Sequence, residues 1–297
     1  MWQIIRQGQW PLWTEVLLSG YPLLSMAQLG LGYPLTWFYL ILPGYAAEQI
    51  YVLAPFLLAP IFTYLYARQI GRSRAASLLA GLSFGFGGMM ASFIGTFGFL
   101  TNAVMWLPLA LVAIERARSR PFLRCLLLMT FSYAMAVLTG VGQGFLYVGI
   151  IAIGYACVLS LVVPPSGGFG GKRFHPKVIF QTFAPLMVCG IGMLLAAGLS
   201  AFQILETIKA QRLSIRGKLS YEVFSAGGFG LHEAWKSFVA PLHNYQEVTS
   251  FIAPLAALLA AVAVAAWFKD RDWRVMFWLA VAAVGLMLML GDHTPLY

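Results

Sequence analysis

The chain has 297 residues, 60% of them hydrophobic and 10% charged, with a mean hydropathy of +0.80; so little polar residue cannot cover a water-soluble globule, which excludes soluble enzymes and soluble binding modules. The formal net charge of +9 rests on nineteen Lys and Arg, thirteen of them gathered in four short clusters between apolar stretches, a topogenic pattern that excludes nucleic acid as the partner. Cys125, Cys157 and Cys189 each lie in a different apolar stretch, a spacing that excludes a disulfide framework or metal knuckle and leaves small packing residues.

In chain order, residues 1–48 carry Trp2, Trp10, Trp13 and Trp37 with the punctuation Gly20-Tyr21-Pro22 and Gly32-Tyr33-Pro34. That composition predicts an interfacial region of short amphipathic helices. It lacks the basic start, apolar middle and small-residue cleavage site of an export signal. Eight apolar stretches follow, at about 50–67, 75–94, 97–114, 122–138, 145–163, 178–205, 251–268 and 275–290. Each is at or near the roughly 20 residues that a spanning helix needs.

The basic clusters are Arg68, Arg72 and Arg74; Arg116, Arg118, Arg120 and Arg124; Lys172, Arg173 and Lys177; and Lys269, Arg271 and Arg274. Alternating eight spans across a bilayer puts all four on one face, which the enrichment of Lys and Arg in cytoplasmic loops marks as the inside. The predicted fold is therefore all-α, a polytopic transmembrane helix bundle of about eight spans. Its parts are an external interfacial region (1–48), a six-helix bundle (49–205), an external loop (206–250), a helix pair (251–291) and the opening of a further external loop (292–297). A tail as long as 1–48 reaches the outside most easily behind an earlier span, so the reading expects a helix upstream of Met1 and a continuation beyond Tyr297.

Several motifs have bland explanations. Gly167-Gly168-Phe169-Gly170-Gly171-Lys172 fails as a phosphate loop, because Ser166 stands at the first glycine, Arg173 follows the lysine and no strand precedes it. Gly81, Gly85, Gly87 and Gly88 read as close helix packing. Asp270-Arg271-Asp272 spells a two-carboxylate metal motif, yet a short charged turn is what the charge pattern requires anyway. No cofactor is assigned, and a divalent cation stays open as the alternative.

The candidate functional residues are therefore external. Glu48 and Glu206 lie at the outer ends of the first and sixth spans, where an ionisable group is a functional candidate whose cost falls away toward the interface. Gln143, in the outer turn Gly142-Gln143-Gly144, could meet a substrate hydroxyl or cap its own turn. The loop 206–250 holds nine of the thirteen Lys, Arg, Asp and Glu residues that this topology places outside. Within it Lys209, Arg212, Arg216 and Lys218, beside Tyr221 and Glu222, suit a phosphate group, Arg by bidentate bonds and Lys as a point charge; a solvated loop touching anionic headgroups explains them as well. Trp13 and Tyr21 can stack on a sugar or anchor the interface.

Taken in order, several segments resemble one family. Gln9-Trp10-Pro11-Leu12-Trp13, Ser19-Gly20-Tyr21-Pro22-Leu23, Gln28 and Tyr33-Pro34 look like the first external loop of bacterial YfhO-type membrane proteins. Ile70-Gly71-Arg72-Ser73-Arg74-Ala75-Ala76, Trp106-Leu107-Pro108-Leu109, Gly142-Gln143, Gln203 and Glu206 with Ser214, Arg216, Tyr221 and Glu222, and Gly291-Asp292 with Thr294-Pro295-Leu296-Tyr297 continue the match along the whole chain. That family is similar to the C-type membrane glycosyltransferases. The resemblance implies a multi-pass protein of the bacterial cytoplasmic membrane that takes a sugar from a polyprenyl-phosphate carrier and passes it, outside, to a cell-wall or surface glycopolymer such as a teichoic acid. It implies a catalytic carboxylate in the first external loop, with basic groups on the carrier phosphate. The family aspartate is expected upstream of Met1, and Glu15 stands where the family usually shows Asn; Glu15 and Glu48 are the carboxylates this chain offers, and Arg216 the phosphate contact.

Two other classes compete. A transporter or lipid-carrier flippase predicts charged or broken helices at mid-membrane, where only Pro185, Gly190 and Gly192 interrupt a span. A non-catalytic scaffold of envelope assembly needs no catalytic acid at all.

Overall fold

The computed structural model describes residues 2–15, 19–93, 98–163, 176–214 and 254–290. Among these the regular structure is helical, with one isolated antiparallel bridge between Thr14 and Tyr21. The chain divides into two compact units, Met1–Gly85 with Phe97–Leu213, and Phe86–Thr96 with Ser214–Tyr297.

The larger unit opens with short elements: α1 (Trp2–Arg6), single 3-10 turns at Leu23–Ser25, Ala27–Leu29 and Pro34–Trp37, and α2 (Phe38–Ile41). The long helices follow as α3 (Gly44–Gln69), α4 (Arg74–Gly85), then, beyond the five-residue α5 (Gly88–Ser92) of the other unit, α6 (Gly98–Val104), α7 (Leu107–Arg116), α8 (Phe122–Leu138), α9 (Gly142–Leu161), α10 (Pro176–Leu199) and α11 (Ala201–Leu213). The smaller unit holds α12 (Pro254–Asp270) and α13 (Trp273–Met289), joined by a tight turn in which Asp272 accepts a hydrogen bond from the Arg274 amide at 3.1 Å and caps α13. An N-cap of that kind explains the second acid of Asp270-Arg271-Asp272 without a metal.

Five helical segments are long and apolar enough to cross a membrane, namely Gly44–Gln69, Arg74–Ser92, Gly98–Arg116, Gly142–Leu161 and Val178–Leu199, and Phe122–Leu138 and Trp273–Met289 are shorter apolar helices. The fold is thus the expected all-α membrane-type bundle, but the described residues do not reach eight full spans. The third expected span is present as Gly98–Arg116 but is interrupted at Met105 and Trp106, where Pro108 sits in the first turn of α7 with its missing N–H harmless. The expected sixth span stops at Leu199 and restarts at Ala201, a break at a Gly198/Ser200 pair of the kind that kinks helices.

α7 is the hub, packed against α3, α8, α9 and α10. All residues from Leu107 to Ile114 are buried. In lipid no hydrophobic force drives such a helix to the centre, since acyl chains are as apolar as leucine, so close packing must supply the preference. The α3/α4 contact shows how: a Cβ on Gly81 would sit 2.6 Å from the Pro60 carbonyl oxygen, and one on Gly85 2.2 Å from Pro60 Cγ. Of the four glycines expected to mediate close packing, Gly81 and Gly85 do so.

Polar side chains tie the two ends of this unit. At one end, buried Tyr33 donates to Asn102 Oδ1 at 3.1 Å and accepts from Trp106 Nε1 at 3.3 Å, while Asn102 Nδ2 donates to the carbonyls of Tyr51 and Gly98 at 3.1 and 2.7 Å. This network pins the N-terminal layer onto α3, α6 and α7. Burial, the largest influence, holds the Tyr33 phenol well above its ordinary range. At the other end Tyr66 donates to Tyr155 at 2.9 Å, Tyr155 donates to Glu115, and Arg116 Nε donates to Gln69 Oε1 at 3.0 Å. Arg118 donates to the carbonyls of Leu159 and Val163, closing the C-terminal end of α9.

Candidate functional site

The N-terminal layer lines a half-open cavity of about 620 Å3. Its walls come from α1 (Trp2, Ile5), the segment Trp10-Pro11-Leu12, Leu24, Leu31 and Gly32, the turn and helix bearing Trp37 and Leu40, and Phe202 of α11. Every wall residue is apolar or aromatic. Gly32 has no room for a side chain, because a Cβ would meet Phe202 Cζ at 2.6 Å and Leu138 Cδ2 at 2.7 Å. Trp37 spends its indole N–H on the Leu31 carbonyl at 2.9 Å, leaving its ring face to the cavity.

Arg6 assembles this layer. Its guanidinium donates to the carbonyls of Tyr39 (2.5 Å), Leu40 (3.1 Å) and Leu42 (2.9 Å), the oxygens that the end of the four-residue α2 leaves without helical donors. A cation at a helix C-terminus also meets the negative end of the dipole. Trp2 stacks parallel on Tyr39, with ring centroids 6.3 Å apart and planes 2° apart. Tyr39 in turn donates its hydroxyl to Glu48 Oε2. Burial first, and then that hydrogen bond, push the Tyr39 phenol above its usual range. The carboxylate of Glu48 is thus oriented one stacked ring pair away from the cavity wall.

The expected site residues are distributed unevenly around this feature. Glu48 lies in the first turns of α3, exposed, on Tyr39. Glu15 is exposed beside the Thr14–Tyr21 bridge, and among the described residues no hydrogen bond or ion pair holds it. Trp13 is 56% exposed, and its ring lies over Gly20, where a Cβ would come within 2.6 Å of Cζ2. Gln143 is exposed as the second residue of α9. Glu206, expected at the end of a span, sits on α11 beyond the break and is engaged by Lys209 at 2.6 Å, an open pair of small energetic weight. Arg212 is exposed in the last turn of α11. Arg216, Tyr221 and Glu222 lie outside the described residues. No hydrogen bond or ion pair joins any two of the described candidates to each other.

Sequence reasoning missed Arg6, Tyr39 and Phe202. The partners of Arg6 and Phe202 lie more than thirty residues away, Tyr39 meets Glu48 nine residues on, and neither spacing nor composition marks these contacts. Gln203, adjacent to Phe202, is 4% exposed; its Nε2 reaches the Ala27 and Val137 carbonyls only at 3.5 Å, and its Oε1 is buried without a partner. Among the described residues no three of His, Cys, Asp and Glu gather as a metal site.

Fold and site together define an all-α, membrane-type helix bundle with an aromatic-walled cavity at one end. The chain matches no family model, no curated protein and no solved structure.

Proposed function

We propose that the protein is an integral membrane glycosyltransferase-like enzyme, transferring a sugar from a polyprenyl-phosphate carrier to a cell-envelope acceptor at the extracytoplasmic face of a bacterial cytoplasmic membrane. The observation that carries this reading is the pairing of a cavity of about 620 Å3 with an oriented carboxylate beside it. That volume lies in the range of small-molecule sites. Walls without a charged side chain suit the hydrocarbon of a lipid-linked donor and do not suit a free nucleotide sugar.

In this reading Glu48 is the base: its carboxylate takes the proton of the acceptor hydroxyl as that oxygen bonds to the sugar carbon. The bond from that carbon to the carrier phosphate breaks, and its electron pair leaves with the phosphate. Tyr39 keeps the carboxylate in place. α11 carries Arg212 about 15 Å beyond Phe202 by helix rise, and Arg212 and Arg216 offset the charge that develops on the departing phosphate. The ordered resemblance to YfhO-type proteins points to the same chemistry.

The test is sugar transfer from a polyprenyl-phosphate donor by the full chain in proteoliposomes. Glu48→Gln is expected to lower the rate at least about 100-fold with the thermal midpoint unchanged, and Arg216→Ala to lower it as well. Transfer indifferent to both substitutions would sink the assignment. Passage of labelled donor across the vesicle without modification would establish the flippase instead.

A further inference from the structure

We propose that the arginine-bearing end of the larger unit is a docking surface for anionic phospholipid, with one lipid phosphate at Arg74 and another at Arg124, the acyl chains of each along the apolar ridge that the residue heads. The inference is independent of the sugar-transfer reading, since the cavity and Glu48 lie at the other end of α3.

Several helix ends converge there. The Arg116–Gln69 bond joins the ends of α3 and α7, and Arg118 joins the turn after α7 to the end of α9. Six of the seven arginines in the segments 68–74 and 115–124 fall into two groups. Arg68 donates to the Arg72 carbonyl, while Arg116 and Arg118 are spent as just described. Arg74, Arg120 and Arg124 are exposed, and among the described residues no hydrogen bond or ion pair engages their side chains. Glu115, the sole acid in the segments 68–74 and 115–124, is held by the Tyr155 hydroxyl.

The surplus charge is also badly placed for the fold alone. Arg74 and Arg124 stand in the first turns of α4 and α8, neither of which has an acid in that turn. A cation there faces the positive end of the helix dipole, a repulsion that a bound anion relieves.

The ridges select lipid over free phosphate. On α4, Arg74 is followed at i+4 and i+8 by Leu78 and Leu82, which are 57% and 45% exposed. On α8, Arg124 is followed at i+3 and i+7 by Leu127 and Phe131, which are 58% and 48% exposed. Those spacings keep each cation and its apolar residues on one helix face. A charged head above an exposed hydrocarbon column is the complement of an anionic phospholipid.

The test places the full chain in nanodiscs of phosphatidylcholine, alone or mixed with phosphatidylglycerol, and reads retained lipid by native mass spectrometry together with the thermal midpoint. Wild type is expected to retain phosphatidylglycerol preferentially and to melt higher in its presence. In the double variant Arg74→Gln/Arg124→Gln the lipid should be held about five-fold more weakly at each of the two positions. Arg74→Lys/Arg124→Lys should keep most of the preference, which separates lost charge from lost fold. Inorganic phosphate should leave the midpoint in phosphatidylcholine unchanged. A wild type without preference, equal retention by the Gln variant, or protection by inorganic phosphate matching that of the lipid overturns the proposal.

Discussion

The two ends of the larger unit use the same residue type in opposite ways. Where α3 begins, a single arginine, Arg6, is consumed by three backbone carbonyls, and the layer it assembles is apolar toward its cavity. Where α3 ends, about 39 Å away by helix rise, three arginines support the packing and three others remain exposed in surplus. Charge counting along the sequence treats all of these as equal. The structure separates a cation spent on helix-end carbonyls beside the cavity from Arg74, Arg120 and Arg124, whose side chains have no partner among the described residues, and the difference lies in whether unpaired helix-end carbonyls are within reach.

The largest effect that breaks this contrast is expected from Gly140→Ala. Gly140 has φ +77°, and a Cβ there would lie 1.8 Å from the Ala27 carbonyl oxygen, a backbone-to-backbone clash with no flexible side chain to yield. A loss of more than about 3 kcal/mol is expected. Hydrogen exchange should show the layer around 23–37 opening while amides near 66–74 keep their protection. Equal loss at both ends would show that the two regions are one cooperative piece.

Arg6→Ala comes next. Three charge-assisted bonds on an exposed side chain are worth about 1–2 kcal/mol of local stability, so α1 should exchange faster and the Trp2–Tyr39 stack should loosen, visible in tryptophan emission. Arg74→Ala, in neutral lipid, should stay within about 0.5 kcal/mol of wild type. If the two substitutions cost the same, the division of labour between the ends is wrong.

Tyr39→Phe should cost no more than Arg6→Ala, about 1 kcal/mol for a single hydrogen bond. Its pH signature has a definite sign. Because the folded phenol is raised above the ordinary value of about 10, its contribution is complete below that value and is lost only as pH rises through the folded one. The difference in thermal midpoint between wild type and Tyr39→Phe should therefore be constant from about pH 6 to 9; a difference that changes there would place another titrating group at this contact.

Much of this architecture was legible beforehand. The span 122–138 coincides with α8, and Gly81 and Gly85 pack where small residues were expected to pack, because hydropathy and residue size act locally. The centrality of α7 was not legible. In a bilayer a lipid-facing helix and a core helix are equally apolar, and only the fit of surfaces separates them. The breaks at Met105 and Ser200 hide inside continuous apolar runs for the same reason. Glu48 could be picked out as an ionisable group at a span end, but its partner could not, since nothing in Phe38-Tyr39-Leu40 signals that Tyr39 will meet a carboxylate. Nothing in the sequence marks Tyr33 as the residue that anchors the whole layer through Asn102 and Trp106.

The most direct test of the central claim is photocrosslinking with a polyprenyl-phosphate analogue that carries a photoreactive group in its isoprenoid chain. The account predicts labelled peptides containing Trp2, Trp10, Trp37 or Phe202, and loss of that labelling when Leu31→Trp fills the cavity. Labelling confined to the exposed apolar faces of the long helices, unchanged by Leu31→Trp, would contradict it.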